Sequence, residues 1–147
     1  MLAPRKGIAL LILTTALIAG CSSRQQASAP TRSPSADNGR MIFMQGVDSD
    51  GKRITAQAPP LRPSCAACHG ANGAGGVHLS GGAVSADLRH RALVTQQKHP
   101  YTLTLLERAI SRGLDNEGKA LNPVMPRWKL SPRDLRDVAQ YVLTQLH

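Results

Sequence analysis

The chain has 147 residues, with 18 Lys and Arg against 9 Asp and Glu for a formal charge of +9, enough for one small domain once processed segments are set aside. The cations are spread without a cluster and without interleaved aromatics, which argues against a nucleic-acid-binding protein. Only Phe43, Tyr101, Trp128 and Tyr141 are aromatic, too few for a self-sufficient aromatic core, so something besides side chains is expected to supply apolar bulk.

The N-terminus has the pattern of an export signal: the basic pair Arg5-Lys6, an uncharged apolar stretch over 8–19, and small residues before Cys21. The stretch is too short to span a bilayer. Leu-Ile-Ala-Gly-Cys at 17–21 resembles the bacterial lipoprotein box, which implies cleavage after residue 20 and acylation of Cys21. Acyl chains contribute about 0.8 kcal/mol per buried methylene, and two or more anchor a protein stably without a spanning helix. Ser22 favours the outer membrane over the inner, because an Asp there marks inner-membrane retention in lipoproteins. Loss of Arg5 and Lys6 takes the charge from +9 to +7, and setting aside Arg24 and Arg32 leaves +5 for the rest. That mild excess suits acidic redox partners and an ordinary solvated surface equally.

Residues 21–36 form a lipid-anchored tether rich in Ser, Ala, Gln and Pro. About 15 such residues span on the order of 20 Å, and about 50 Å when stretched. The domain is placed at 37–147. Its first helix is expected to start near Asp37, read as its cap, and run through Met41, Ile42, Phe43 and Met44 to Gly46. A Gly- and Pro-rich middle follows, poor in regular structure and suited to wrapping something. A second helix is expected over 86–97 and a third from Thr102 to Arg112, ended by Gly113, with Leu103, Leu106 and Ile110 on one face. The last helix is capped by Ser131, has Pro132 and Asp134 in its first turn, and lines up Leu135, Val138, Ala139, Val142 and Leu146. No strand pattern and no internal repeat stand out.

Cys65-Ala66-Ala67-Cys68-His69 has the spacing of a covalent haem-attachment site: two thiols three positions apart reach the two vinyl groups of one porphyrin, and the adjacent imidazole turns to the iron. Two other readings compete. Structural zinc would need a further ligand pair, and the mature domain holds no other Cys. A thiol-exchange pair would need a βαβ setting with a helix starting at the first thiol.

With this motif in place, 37–147 resembles a class I (monohaem) cytochrome c domain. Gly39 and Phe43 stand where that family packs its first helix on its last, and Tyr141 where the last helix carries an aromatic. The segments Ala109-Ile110-Ser111-Arg112-Gly113-Leu114-Asp115 and Gly118-Lys119-Ala120-Leu121 match the approach to the distal ligand, which falls at Met125-Pro126. The resemblance implies an all-α fold of about four short helices around one covalent haem c, with Cys65, Cys68 and His69 holding it and Met125 as the second axial ligand. A loop Met between Pro123 and Pro126 is held by backbone restriction, whereas Met41 and Met44 on a helix read as core filler. His78, His90, His99 and His147 are the alternative sixth ligands, His78 first among them. Trp128, Arg127 and Arg89 are candidate donors to the haem propionates. One departure stands out: many family members place a Pro after the haem-binding His whose carbonyl orients the ring, and no Pro occurs between Gly70 and His99. Another carbonyl is required.

The function this implies is one-electron transfer between redox protein partners, not an enzyme acting alone, since no nucleophile, base pair or phosphate loop is evident and no small-molecule substrate is expected. The alternative is the haem subunit of a larger oxidoreductase complex. The competing readings are a ligand-binding or peroxidase-like haem protein whose Met125 leaves the iron, and a non-haem metal or thiol protein.

Overall fold

The structure is a computed structural model that describes residues 33–58, 60 and 62–147. Segment 1–20, Cys21 and the tether as far as residue 32 lie outside the described residues. No described helix is long and apolar enough to cross a membrane.

Helix α1, Ala36–Gln45, is capped by Ser35 and not, as expected, by Asp37, which lies in its first turn: the Ser35 hydroxyl accepts from the Asn38 N–H at 3.3 Å. It ends at Gly46, which turns left-handed with φ 71°. Asn38, Gly39, Ile42 and Phe43 form its buried face. The last helix, α4, covers that face. It spans Pro132–Gln145, and the Ser131 hydroxyl accepts from the Asp134 N–H as expected.

The two helices cross where Gly39 stands. A Cβ there would lie 2.2 Å from the Asp137 carbonyl oxygen and 2.7 Å from Tyr141 Cβ, so only glycine permits this approach. One turn on, the Phe43 and Tyr141 rings meet with centroids 5.6 Å apart, the pairing the resemblance implied. Polar groups at the crossing are fully partnered. Asp137, 2% exposed, accepts from the Ser35 N–H at 2.8 Å and from Asn38 Nδ2 at 2.7 Å. Asn38 also donates to Asp134 at 2.9 Å and accepts from the Ser49 N–H at 2.7 Å. Gly39→Ala is therefore expected to cost about 3 kcal/mol by overpacking, read as a lower denaturant midpoint with the helical signal of the folded fraction unchanged.

Helix α2, Ala66–His69, sits in the Gly- and Pro-rich middle where no helix was expected. It is a single turn between Pro63 and Gly70, with the Ser64 hydroxyl accepting from the Ala67 N–H at 3.3 Å. Helix α3, Leu103–Arg112, is capped by Thr102 and closed by Gly113 at φ 67°, and it packs on α4. The helix expected over 86–97 does not form. Only one wide π-type turn, Arg91–Thr95, is present. The backbone around it is drawn elsewhere: the Ala86 carbonyl faces His69, Leu88 N–H donates to the Gly73 carbonyl at 2.7 Å, and His90 N–H to the Leu146 carbonyl at 2.8 Å.

Two further features were not foreseen. Strands β1 (Thr55–Ala56) and β2 (Trp128–Lys129) pair antiparallel, Thr55 with Lys129 and Ala56 with Trp128, and are too short to show alternation. The other is a repeated connector. After Gly46, Asp48 accepts from the N–H groups of Asp50 at 3.0 Å and Lys52 at 2.8 Å, with Ile54 N–H returning to the Gly46 carbonyl. After Gly113, Asp115 accepts from Glu117 at 2.9 Å and Lys119 at 2.8 Å, with Leu121 N–H returning to the Gly113 carbonyl. The same Asx-closed turn thus follows both α1 and α3.

Candidate functional site

The helices close around a cavity of about 620 Å3, within the roughly 300–1,000 Å3 of sites that enclose small molecules. Its walls are mainly apolar: Phe43 of α1, Leu93 of the π-type turn, Leu106 and Ile110 of α3, Val138 and Val142 of α4. Cys65, Cys68 and His69 line it as well, and so does Met125.

The single turn of α2 brings the motif together. Cys68 and His69 both donate their N–H groups to the Cys65 carbonyl, at 3.1 and 2.9 Å. Both thiols are free. Burial pushes the Cys65 thiol up to about 12, its own backbone hydrogen bond opposing and the neighbouring Cys68 reinforcing the rise. Cys65 is therefore a neutral thiol at neutral pH and a poor partner for disulfide exchange, which counts against the thiol-redox reading. Among the described residues, no group of three or more His, Cys, Asp or Glu converges as a metal site, so the zinc reading gains nothing.

His69 is 8% exposed. Its Nδ1 lies 2.8 Å from the Ala86 carbonyl oxygen. A carbonyl only accepts, so Nδ1 carries the proton and Nε2 keeps its lone pair. Burial lowers the imidazole pKa, with the Ala86 hydrogen bond partly offsetting it. This is the carbonyl that the missing Pro left unassigned.

Met125 sits in the loop between Leu121 and Trp128, its N–H donating to the Asn122 carbonyl at 3.0 Å. Arg127 clamps that loop from within. Its guanidinium donates to the carbonyls of Leu121 at 2.9 Å, Asn122 at 3.4 Å and Met125. Gly113 leaves room for this: a Cβ there would fall 1.8 Å from Arg127 Nε. Trp128, 4% exposed, lines the cavity from β2.

The remaining candidates divide clearly. Arg89 is engaged by Asp87, with Nη2 at 2.6 Å and Nε at 3.0 Å from its two oxygens, holds that carboxyl below the usual range, and lies outside the cavity wall. His78 is exposed but reaches the wall, whereas His90, His99, His147, Met41 and Met44 do not line it. His90 Nδ1 lies 2.9 Å from the Leu143 carbonyl oxygen, and its ring faces His147. The residues that sequence reasoning missed are Ala86, whose backbone oxygen carries no side-chain signature, and Arg127 in its role as a loop clamp.

A large apolar cavity lined by two free thiols and an imidazole whose Nε2 is free fits a covalently held haem. The family comparison agrees. The model of the family described as cytochrome c matches residues 48–145. The chain belongs to the cytochrome c family, its cofactor is covalently bound haem c, and Cys65 and Cys68 fit the attachment motif. Among solved structures, it is similar to the oxidised form of SHP, an oxygen-binding cytochrome c, at 20% identity over 76% of this chain and 83% of that one, with a TM-score of 0.42. No curated protein sequence matches the chain.

Proposed function

We propose that the protein is a one-electron carrier, relaying electrons between redox protein partners, in which His69 and Met125 would hold the haem iron. The observation that supports this most is that His69, with Nε2 free, and Met125, on a loop braced by Arg127, line one apolar cavity. The haem supplies a one-electron iron couple when bound. His69 offers a neutral nitrogen of fixed orientation, and Met125 a soft, neutral sulfur that favours the ferrous state and raises the potential. Phe43, Leu106 and Val138 keep water from that couple, and a rigid ligand set keeps reorganisation on electron transfer small. Trp128 is the propionate donor best placed among the candidates, since it lines the cavity. The guanidinium of Arg127 is directed to three carbonyls and that of Arg89 to Asp87.

The carrier acts at a membrane surface, held through lipid on Cys21 and facing the periplasm, with the outer membrane favoured. The motif at 17–21 and the polar tether support this placement. Two experiments test the reading. Ferric protein should show the red charge-transfer band of a Met-to-iron bond, and ferrous protein should not bind carbon monoxide at neutral pH; the reverse pair of results would favour a ligand-binding haem protein. Cys21→Ser should move the protein from the membrane to the soluble fraction with an unchanged visible spectrum, and continued membrane retention would contradict the lipid anchor.

A further inference from the structure

The Ala86 carbonyl that orients His69 comes from a backbone with no Pro to stiffen it, so something else must hold it in place. Three contacts close a ring around it. His69 donates from Nδ1 to the Ala86 carbonyl at 2.8 Å, and its own carbonyl accepts from the Gly75 N–H at 2.8 Å. Gly75 in turn is pressed against Ala86: a Cβ on Gly75 would lie 2.4 Å from the Ala86 carbonyl oxygen, 2.5 Å from its carbon and 2.6 Å from the Ser85 carbonyl oxygen. Gly75 also has φ 68°, a left-handed backbone that side chains resist.

The segment between Gly75 and Ala86 is a small hairpin that fixes this register. Gly76 N–H donates to the Ser85 carbonyl at 2.9 Å, Ser85 N–H to the Val77 carbonyl at 3.0 Å, and Leu79 N–H to the Ala83 carbonyl at 2.8 Å. Ser85 adds a side-chain lock, its hydroxyl accepting from the Val77 N–H at 3.0 Å. It is 7% exposed. Beyond Ala86, Leu88 N–H is tied to the Gly73 carbonyl at 2.7 Å, so the Ala86 peptide is held from both sides.

We propose that Gly75 and Ser85 are positioning residues for the His69 imidazole, acting through the Ala86 carbonyl and thereby setting the reduction potential. The proposal rests on the reading of His69 as an iron ligand. A carbonyl that accepts firmly from Nδ1–H makes the imidazole a stronger donor and favours ferric iron. Displacing the carbonyl weakens that donation and favours ferrous iron, so the potential rises.

The test uses holoprotein carrying Gly75→Ala, Ser85→Ala or Gly81→Ala. Gly81, at the hairpin tip, has the same left-handed backbone at φ 71°, but its added Cβ would meet nothing within 4 Å, so it controls for backbone strain alone. Gly75→Ala should raise the midpoint potential by about 28 mV, a threefold change in a one-electron equilibrium, and speed hydrogen exchange of the His69 Nδ1–H about tenfold in the ferrous NMR spectrum. Ser85→Ala should shift both readouts the same way by less, and Gly81→Ala should shift neither. If Gly75→Ala does not fold, Ser85→Ala decides by the same readouts. Wild-type values in both hairpin-base variants, or an equal shift in Gly81→Ala, would overturn the proposal. If His69 ring signals of the wild type carry no displacement from the haem, it is the ligand reading itself that fails.

Discussion

Met125→Ala is expected to remove the red charge-transfer band of the ferric protein, open the sixth position to carbon monoxide in the ferrous protein, and lower the midpoint potential by at least about 59 mV, tenfold in the one-electron equilibrium. The size follows from the chemistry of the donor: a neutral thioether stabilises ferrous iron, and water in its place does not. The effect should not be a general consequence of losing sulfur. Met44 packs against the core from α1 and is absent from the cavity wall, so Met44→Leu should leave band and potential unchanged. A wild-type potential in Met125→Ala would remove Met125 from the ligand set and turn attention to His78, the one alternative histidine that reaches the cavity among the described residues.

The second large effect concerns attachment. The double substitution Cys65→Ala and Cys68→Ala removes both thiols that hold the haem, and the isolated polypeptide should be colourless under denaturing conditions. The fold should go with it. A site of about 620 Å3 lined mainly by apolar side chains would be left to water, in a domain whose whole stability is typically only about 5–15 kcal/mol. The walls from α1, α3 and α4 have too few other apolar partners to close on themselves, given four aromatic side chains in the whole chain. The variant should show helical far-ultraviolet signal without a cooperative thermal transition. A sharp transition like that of the wild type would mean that the core does not depend on the cofactor.

The elements that were legible in the sequence are those whose ends are chemically marked. Ser131 with Pro132, Thr102, Gly46 and Gly113 each carry a cap or stop that acts within one turn, and α1, α3 and α4 begin or end at them. The haem-binding pentapeptide was legible because its spacing is itself the chemistry. What escaped notice depends on contacts remote in sequence. The π-type turn replaces a longer helix because residues 86–90 bond to His69, Gly73 and Leu146. Helix α2 is one turn long and leaves no periodicity. The connector shared by Asp48-Ser49-Asp50-Gly51-Lys52 and Asp115-Asn116-Glu117-Gly118-Lys119 was missed because only Asp, Gly and Lys recur, and of these the turn uses the Asp carboxylate and the left-handed Gly.

The same distinction applies within the site. Arg127 is a candidate propionate donor by side-chain type, and the fold directs its guanidinium to the carbonyls of Leu121, Asn122 and Met125. The absent Pro correctly signalled that a different oxygen must face His69, but a backbone oxygen delivered by a hairpin has no residue type to betray it. Only the folded chain identifies Ala86.

The most direct test is the intact mass and visible spectrum of the polypeptide, made in a host that matures c-type cytochromes and then extracted with acid acetone. A coloured chain carrying the mass of one haem is the expected result. A colourless chain at the mass of the bare polypeptide would contradict covalent attachment through Cys65 and Cys68 and every functional step built on it.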